Sequence, residues 1–469
     1  MSIQLPPGPP PISGNIISQL TFMREFQKDT LGMFTTWARD HGDIQYMQMG
    51  KYGQYAISHP DHLHELLVKQ AAKFHKSADY KDKHKGLARF LGNGLVVSDG
   101  EFWKRQRRLA QPAFHAQRIG GYAETIVDYS SAMLNEAGWR AGAALDVDQE
   151  MMRLTMLIVA RVLFNADVSD DSERVGQAMH AIQESTGEFD LLPHWLPTPK
   201  HIRSARAVRV LDEIVYRIIA ERRESGEDRG DLLSMMLMAR DEDGNHMSDE
   251  QARDEAVTAF LAGHETTSNT LTWTWYLLSQ HPEIEARLHD EIDTALQGHP
   301  PTLADLERLP YTDMVIKEAM RVYPPVWSIS RVAIEDVQIG GYTIPKGGVV
   351  ASSIYTLHHD ERWYPDPERF DPERFNAENE KAIHKYAYLP FGGGPRVCIG
   401  NSFAMMEARL ILATIAQRYR LRLEPTQRVE PHALLTLKPK YGMRMRLEER
   451  FEVRGSSKNS SEYRILSAE

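Results

Sequence analysis

The one thiol of this 469-residue chain, Cys398, sits in FGGGPRVCIG (391–400). With no second cysteine it forms no internal disulfide and belongs to no Cys-rich zinc or iron–sulfur site. Two roles remain: a small buried hydrophobe, or a solitary ligand or nucleophile. A thiolate needs backbone amides, a helix N-terminus or a metal to hold its charge. The segment after it, NSFAMMEARLILATIAQRYRL, repeats apolar residues at helical spacing, so free N–H groups at its start can face the sulfur. The three glycines, Gly392 to Gly394, let the loop approach something large and flat. Pro395 stiffens that approach, and Arg396 sets a cation two residues before the sulfur. A thiolate, a planar ligand and an anion for Arg396 together describe haem bound through one axial sulfur.

Three further stretches carry residues able to do chemistry. In AGHETT (262–267), Glu265 and Thr266 form an acid–alcohol pair able to move protons. Glycine and threonines in mid-helix predict a kink that opens space beside them. HETTS (264–268) approaches the zinc motif H-E-x-x-H, but Ser268 stands where the second histidine belongs, and the zinc reading is set aside. Glu318 and Arg321 of KEAMR stand three apart on one helix face, a spacing that surface ion pairs also show. FWKRQRRL (102–109) puts Trp103 and Arg107 on one helix face and turns Lys104, Arg105 and Arg108 away from it.

FGGGPRVCIG matches every fixed position of F-x-x-G-x-R-x-C-x-G, and the chain here resembles the cytochrome P-450 superfamily, in its soluble bacterial form. The resemblance implies that Cys398 is the axial iron ligand, in a loop that includes Phe391 and Gly392, and that Arg396, Trp103, Arg107 and Arg331 bind the haem propionates. It implies a buried Glu318–Arg321 pair joined by an arginine of a Pro-Glu-Arg-Phe segment. The sequence holds two copies, and the second (372–375) fits the register better, so Arg374 is the expected partner and Arg369 its competitor. AGHETT is similar to the family's distal motif, which gives Glu265 and Thr266 the delivery of protons to bound dioxygen. Candidate pocket residues are Val96, Val97, Phe260, Ala262, Thr266, Val326 and Trp327, apolar but for the threonine, and segment 188–203 is either an access lid or ordinary surface structure.

The implied activity is that of a haem-thiolate monooxygenase, an oxidoreductase with haem b (iron protoporphyrin IX) as cofactor and O2 as co-substrate. It would place one oxygen atom in a C–H or C=C bond of a hydrophobic small molecule. No G-x-G-x-x-G marks a reductase domain, so electrons come from a ferredoxin- or flavodoxin-type donor with its reductase. Lys104, Arg105 and Arg108 are either solvated or a steering patch for that acidic donor. The alternatives are a peroxide-dependent or peroxide-rearranging haem-thiolate enzyme, which would not need the Glu265–Thr266 pair, and a non-enzymatic haem sensor or electron carrier.

Elements must bring these residues together across almost 300 positions. Ser248 and Gln251 fit a capping box that starts a helix of about 30 residues, ended at Gln280 by His281-Pro282. A second helix, about 311–322, stops at Pro324-Pro325. Alternation in 43–58 reads as a hairpin turning at Lys51-Tyr52-Gly53, and Pro60 opens a helix. VAIEDVQIGGYTIPKGGVVASSI returns to strand, turning at Gly340-Gly341. The fold class is mainly α with minor β: a proline-rich lead-in (1–11), one large haem domain (12–450) with small sheets, and a polar, disordered tail (451–469). A net charge of −10 argues against nucleic acid as partner. Neither a signal peptide nor a transmembrane anchor is legible. A cytoplasmic monomer is expected.

Overall fold

The protein is described from a computed structural model covering residues 4–12, 15–49, 52–82, 87–165, 174, 177–178, 181–182 and 196–450. The expected disordered tail and residues 188–195 of segment 188–203 lie outside these residues, and the rest of that segment leads into a helix at Pro199. Ten helices of eleven residues or more occur among them: α1 (Ile16–Lys28), α2 (Thr30–His41), α3 (Gly100–Ala110), α4 (Ala123–Leu134), α5 (Val147–Phe164), α6 (Pro199–Ser225), α7 (Asp249–Gln280), α8 (Pro282–Leu296), α9 (Pro310–Val322) and α10 (Asn401–Ala416).

α7 is the axis of the molecule. Ser248 Oγ accepts from Gln251 N while the Gln251 side chain accepts from Ser248 N, which satisfies two of the free amides at its start. Burial on nearly all sides explains its weak amphipathicity: Leu271, Trp273, Trp275 and Leu278 are fully enclosed. Trp273 stacks on Tyr323 with ring centroids 3.9 Å apart and donates its indole N–H to Leu437 O. The helix assignment continues through AGHETT, the stretch in which a kink is expected. The hydroxyls of Thr266, Thr267, Thr270 and Thr274 donate to the carbonyls four residues back, the competition for backbone carbonyls expected of mid-helix threonines.

Among the described residues twelve strands, β1 to β12 in chain order, form small sheets. The largest has the order β1-β2-β8-β5-β3, from β1 (Ile44–Met49), β2 (Tyr52–Ile57), β3 (Phe74–His75), β5 (Ser328–Ala333) and β8 (Val349–Ser353). β4 (Ala144–Asp146), β12 (Arg444–Glu449) and β9 (Tyr419–Leu423) make a second. β6 (Val337–Ile339) pairs with β7 (Tyr342–Ile344) around Gly340 and Gly341, both at positive φ. β10 (Pro431–Ala433) pairs with β11 (Leu437–Pro439). The amino-terminal hairpin turns earlier than expected: Met49 pairs with Tyr52, so Gly53 lies inside β2. Gly53 is there because a Cβ would fall 2.0 Å from the Tyr46 hydroxyl on the facing strand. No helix of the described residues is long and apolar enough to cross a membrane.

Candidate functional site

The thiol loop is built from turns. A short 3₁₀ turn covers Gly394–Arg396, Cys398 N donates to Phe391 O at 3.0 Å, and α10 begins just beyond, after Gly400. Gly394 lies at φ +66° with its Cα against residues 65–69, where a Cβ would stand 1.9 Å from Leu67 O. Gly392 is also left-handed, at φ +69°. The Cys398 side chain is reachable by solvent. Even so, desolvation pushes its thiol up, with the Gly400 N–H and the Arg107 charge pulling the other way. Accessible sulfur walled by protein means that Cys398 faces an internal space.

Cations gather beside that space. Arg396 donates to Ser98 O at 2.8 Å and to Asp99 Oδ1 at 2.5 Å, and lies over the Trp103 ring at 4.2 Å. Arg107, 5.9 Å from the same ring on α3, donates to Val397 O at 2.9 Å, next to the cysteine. Arg331 on β5 turns back to Ser330 O. Lys76 is close enough to Arg331 and Arg396 that burial and their charges hold it well below the usual lysine range. Burial takes Arg396 down to about 10 against the pull of Asp99. Asp99 is the carboxylate common to Arg396, Arg331 and Lys76 among the described residues, and Lys81 also pairs with it at 2.5 Å. This is a cationic cluster with room for an anion of more than one charge. Together with the glycine cradle and the walled sulfur, it fits a haem with two propionates.

Across the space runs α7. Ala262 is exposed in mid-helix and Thr266, one turn on, is half-buried. The Thr266 hydroxyl donates to Ala262 O at 2.8 Å. Glu265 is buried and does not bond Thr266: its Oε1 accepts from Thr436 Oγ1 at 2.6 Å, and the Thr436 hydroxyl in turn accepts from Asn269 Nδ2 at 3.0 Å. The acid and the alcohol are therefore neighbours on one helix held by different partners.

The Glu318–Arg321 pair is fully buried. Glu318 takes two bonds from Arg321, at 2.7 and 2.8 Å, and one from Asp371 N at 2.9 Å. The Arg374 side chain lies 3.4 Å from Glu318, whereas Arg369 meets Arg321 through its carbonyl. Arg321 also donates to His358 O, and His358 Nε2 accepts from Leu389 N just before the thiol loop.

Two candidate pocket residues are corrected. Phe260 packs against Phe164 and His264, beside a small apolar cavity lined by residues of α5, α6 and α7. It stands two positions from Ala262, hence about 200° around the helix and on the other side. Val97 is 2% exposed and belongs to the main core. Val96 is half-buried, Val326 is exposed, and Trp327 donates its indole N–H to Leu434 O at 2.7 Å while meeting the Phe34 ring edge-on. The three basic residues turned away from Trp103 are each paired: Lys104 with Glu101, Arg105 with Asp241 and Arg108 with Glu242. The steering patch is thereby largely neutralised. Sequence reasoning missed Asp99, Lys76 and Thr436. Asp99 alone had a local cue, as the acidic residue just before α3.

Comparison with known proteins gives matches along most of the chain. The family model of Cytochrome P450 matches residues 6–445. Cyclooctat-9-en-7-ol 5-monooxygenase of Streptomyces melanosporofaciens is 40% identical over 82% of this chain and 84% of its own. Pentalenene oxygenase of Streptomyces avermitilis is 37% identical over 87% and 91%. Among solved structures, retinoic-acid-bound cyanobacterial CYP120A1 superposes with a TM-score of 0.84 at 27% identity, over 95% of this chain and all of that one. The cytochrome P450DA heme domain gives the same TM-score at 29% identity, over 95% and 98%.

Proposed function

Because the chain belongs to the cytochrome P450 family and is a haem monooxygenase, we propose that it oxidises a hydrophobic, ring-bearing alkene at a C–H or C=C bond. Haem b is its cofactor, and a separate ferredoxin- or flavodoxin-type donor with its reductase supplies electrons. The observation that carries this reading is the accessible Cys398 sulfur set beside Arg107, with Arg396 and Arg331 near it sharing the one carboxylate of Asp99. The substrate class rests on the names of the two Streptomyces relatives, an alkenol monooxygenase and an alkene oxygenase. It rests also on the apolar candidate pocket residues Val96, Ala262 and Val326.

Bound haem would supply dioxygen activation at an iron made electron-rich by thiolate. Cys398 would hold the iron through its sulfur, for a coordinating cation deprotonates a thiol outright. The Gly400 amide and Arg107 then stabilise the sulfur's charge. Arg107, Arg331, Arg396 and the Trp103 N–H would take the propionates. Thr266 holds a proton on the Ala262 carbonyl, one rotamer change from presenting it to the space in front of the helix. Glu265, held by Thr436, is the acid that would resupply it.

The test is the absorption spectrum of reduced protein under carbon monoxide. Wild-type protein is expected to show the long-wavelength band of thiolate ligation, and Cys398→His to lose it while retaining haem. Persistence of the band in the variant would remove Cys398 as ligand. Turnover of cyclic alkenes with a reductase system, against hydrogen peroxide alone, checks the donor.

A further inference from the structure

The loop before α3 is tied to the central helix by two consecutive carboxylates that the reaction does not use. Asn93 N donates to Asp254 Oδ2 at 2.7 Å, and Leu95 N donates to Glu255 Oε2 at 3.0 Å. The glycines between them allow the contact: a Cβ on Gly92 would fall 2.0 Å from Asp254 Oδ1, and one on Gly94 would fall 2.1 Å from Thr258 Oγ1. Arg253 braces the same junction, donating to Phe90 O, to Asp254 and to Asp212 on α6. At its other end the loop is fixed by Arg396, which donates to Ser98 O. The segment 93–97 is thus strung between α7 and the cationic cluster, with half-buried Val96 at mid-span.

Its position on α7 gives it a purpose. Around α7, Glu255, Thr258, Ala262 and Thr266 fall within about 80° of one another and so share one face. Glu255 and Thr258 underlie the loop, and Ala262 and Thr266 continue the same face into the space in front of Cys398. The loop therefore stands where a wall of that space must be. Glu255 is 3% exposed, and its second oxygen, Oε1, has no protein hydrogen-bond partner among the described residues. Two buried carboxylates committed to main-chain amides are a demanding way to hold a loop if its location did not matter.

We propose that Asp254 and Glu255 are positioning residues for substrate: by clamping residues 93–97 to α7 they fix a wall of the haem pocket and so select substrates by shape. The proposal rests on the haem-monooxygenase reading. Its effect is on what fits the pocket, not on the ligation of iron.

The experiment titrates two ligands by absorption: imidazole, and clotrimazole, a triphenylmethyl imidazole that binds through the same ring but fills the pocket. Proteins compared are wild type, Glu255→Ala, Glu255→Gln and Gly94→Ala. In Glu255→Ala and Gly94→Ala the dissociation constant for clotrimazole is expected to rise about tenfold, with imidazole within about twofold. Glu255→Gln keeps an oxygen for Leu95 N and should match wild type. Unchanged clotrimazole affinity in both Glu255→Ala and Gly94→Ala overturns the proposal. So does equal weakening of both ligands, loss of the carbon-monoxide band in those variants, or Glu255→Gln behaving like the alanine variant. Wild-type protein with neither that band nor an imidazole shift would instead refute the haem-thiolate reading, and the clamp would fall with it.

Discussion

Thr266 gives its proton to the Ala262 carbonyl, and Glu265 receives one from Thr436, so the two groups expected to act together are each engaged elsewhere. Their cooperation then depends on Thr266 turning toward the pocket and on Thr436 keeping Glu265 in place. Thr266→Ala should bind haem and substrate normally yet lower the ratio of product to NAD(P)H consumed several-fold, with peroxide rising to match. Thr436→Val removes the only described donor to Glu265 and should move the same ratio in the same direction by less. Thr267 points its hydroxyl at Gly263 and is 2% exposed, so Thr267→Ala should leave coupling nearly unchanged. Product and peroxide assays run in parallel decide all three. The acid–alcohol pair was legible because its residues are adjacent in sequence. The hold that Thr436 has on Glu265 was not, since 171 positions separate the partners and no local spacing encodes such a contact. Phe260 is a different kind of error: helical periodicity already put it opposite Ala262, and proximity in sequence was read as proximity in space.

At the scale of elements, the Glu318–Arg321 pair joins α9 to the stretch that leads into the thiol loop. Glu318 accepts from Asp371 N, Arg321 donates to the carbonyls of His358 and Arg369, and His358 Nε2 accepts from Leu389 N. Removing one member strands a buried charge, worth about 3–5 kcal/mol. Glu318→Ala and Arg321→Ala should therefore yield little haem-loaded protein, measured as haem absorbance per unit of protein. Arg374→Ala should load haem less well than wild type, because its guanidinium stands 3.4 Å from Glu318. Arg369→Ala should load normally, because only its carbonyl takes part and any residue supplies that. The capping box of α7, the boundary of α9 at Val322 and the Gly340–Gly341 turn all followed from local chemistry and stand where expected. The hairpin turn did not, because Gly53 answers to Tyr46 across the sheet and not to a bend in the chain. Within AGHETT the hydroxyls of Thr266 and Thr267 take the Ala262 and Gly263 carbonyls as acceptors, as the mid-helix threonines led one to expect.

For the molecule as a whole, buried acids set the dependence of stability on pH. Glu407 on α10 is fully enclosed, and burial pushes it up to about 8, with the Thr267 hydroxyl drawing it the other way. Glu255 is raised to about 8 by the same cause, against the bond from Leu95 N. The folded protein keeps these protons where the unfolded chain, near an ordinary value of about 4.5, has released them. Their contribution is thus fully present below about pH 4.5 and is lost as pH rises toward 8. The melting temperature should fall between pH 6 and pH 9, and Glu407→Gln, which cannot ionise, should fall less over that interval in the same thermal scans. An equal fall in both proteins would show that Glu407 does not titrate in this range. The five-stranded sheet has a consequence of another kind, in time. β2 pairs in parallel with β8, and about 295 residues separate Gln54 from its partner Val349. At about 5–20 residues per second of synthesis, the open edge of β2 waits roughly 15–60 s on the ribosome for the strand that will cover it. Through that interval it offers unpaired amides and carbonyls to any other nascent chain, including another copy of itself. The strand order of one small sheet thereby sets how long each new molecule depends on a chaperone's protection.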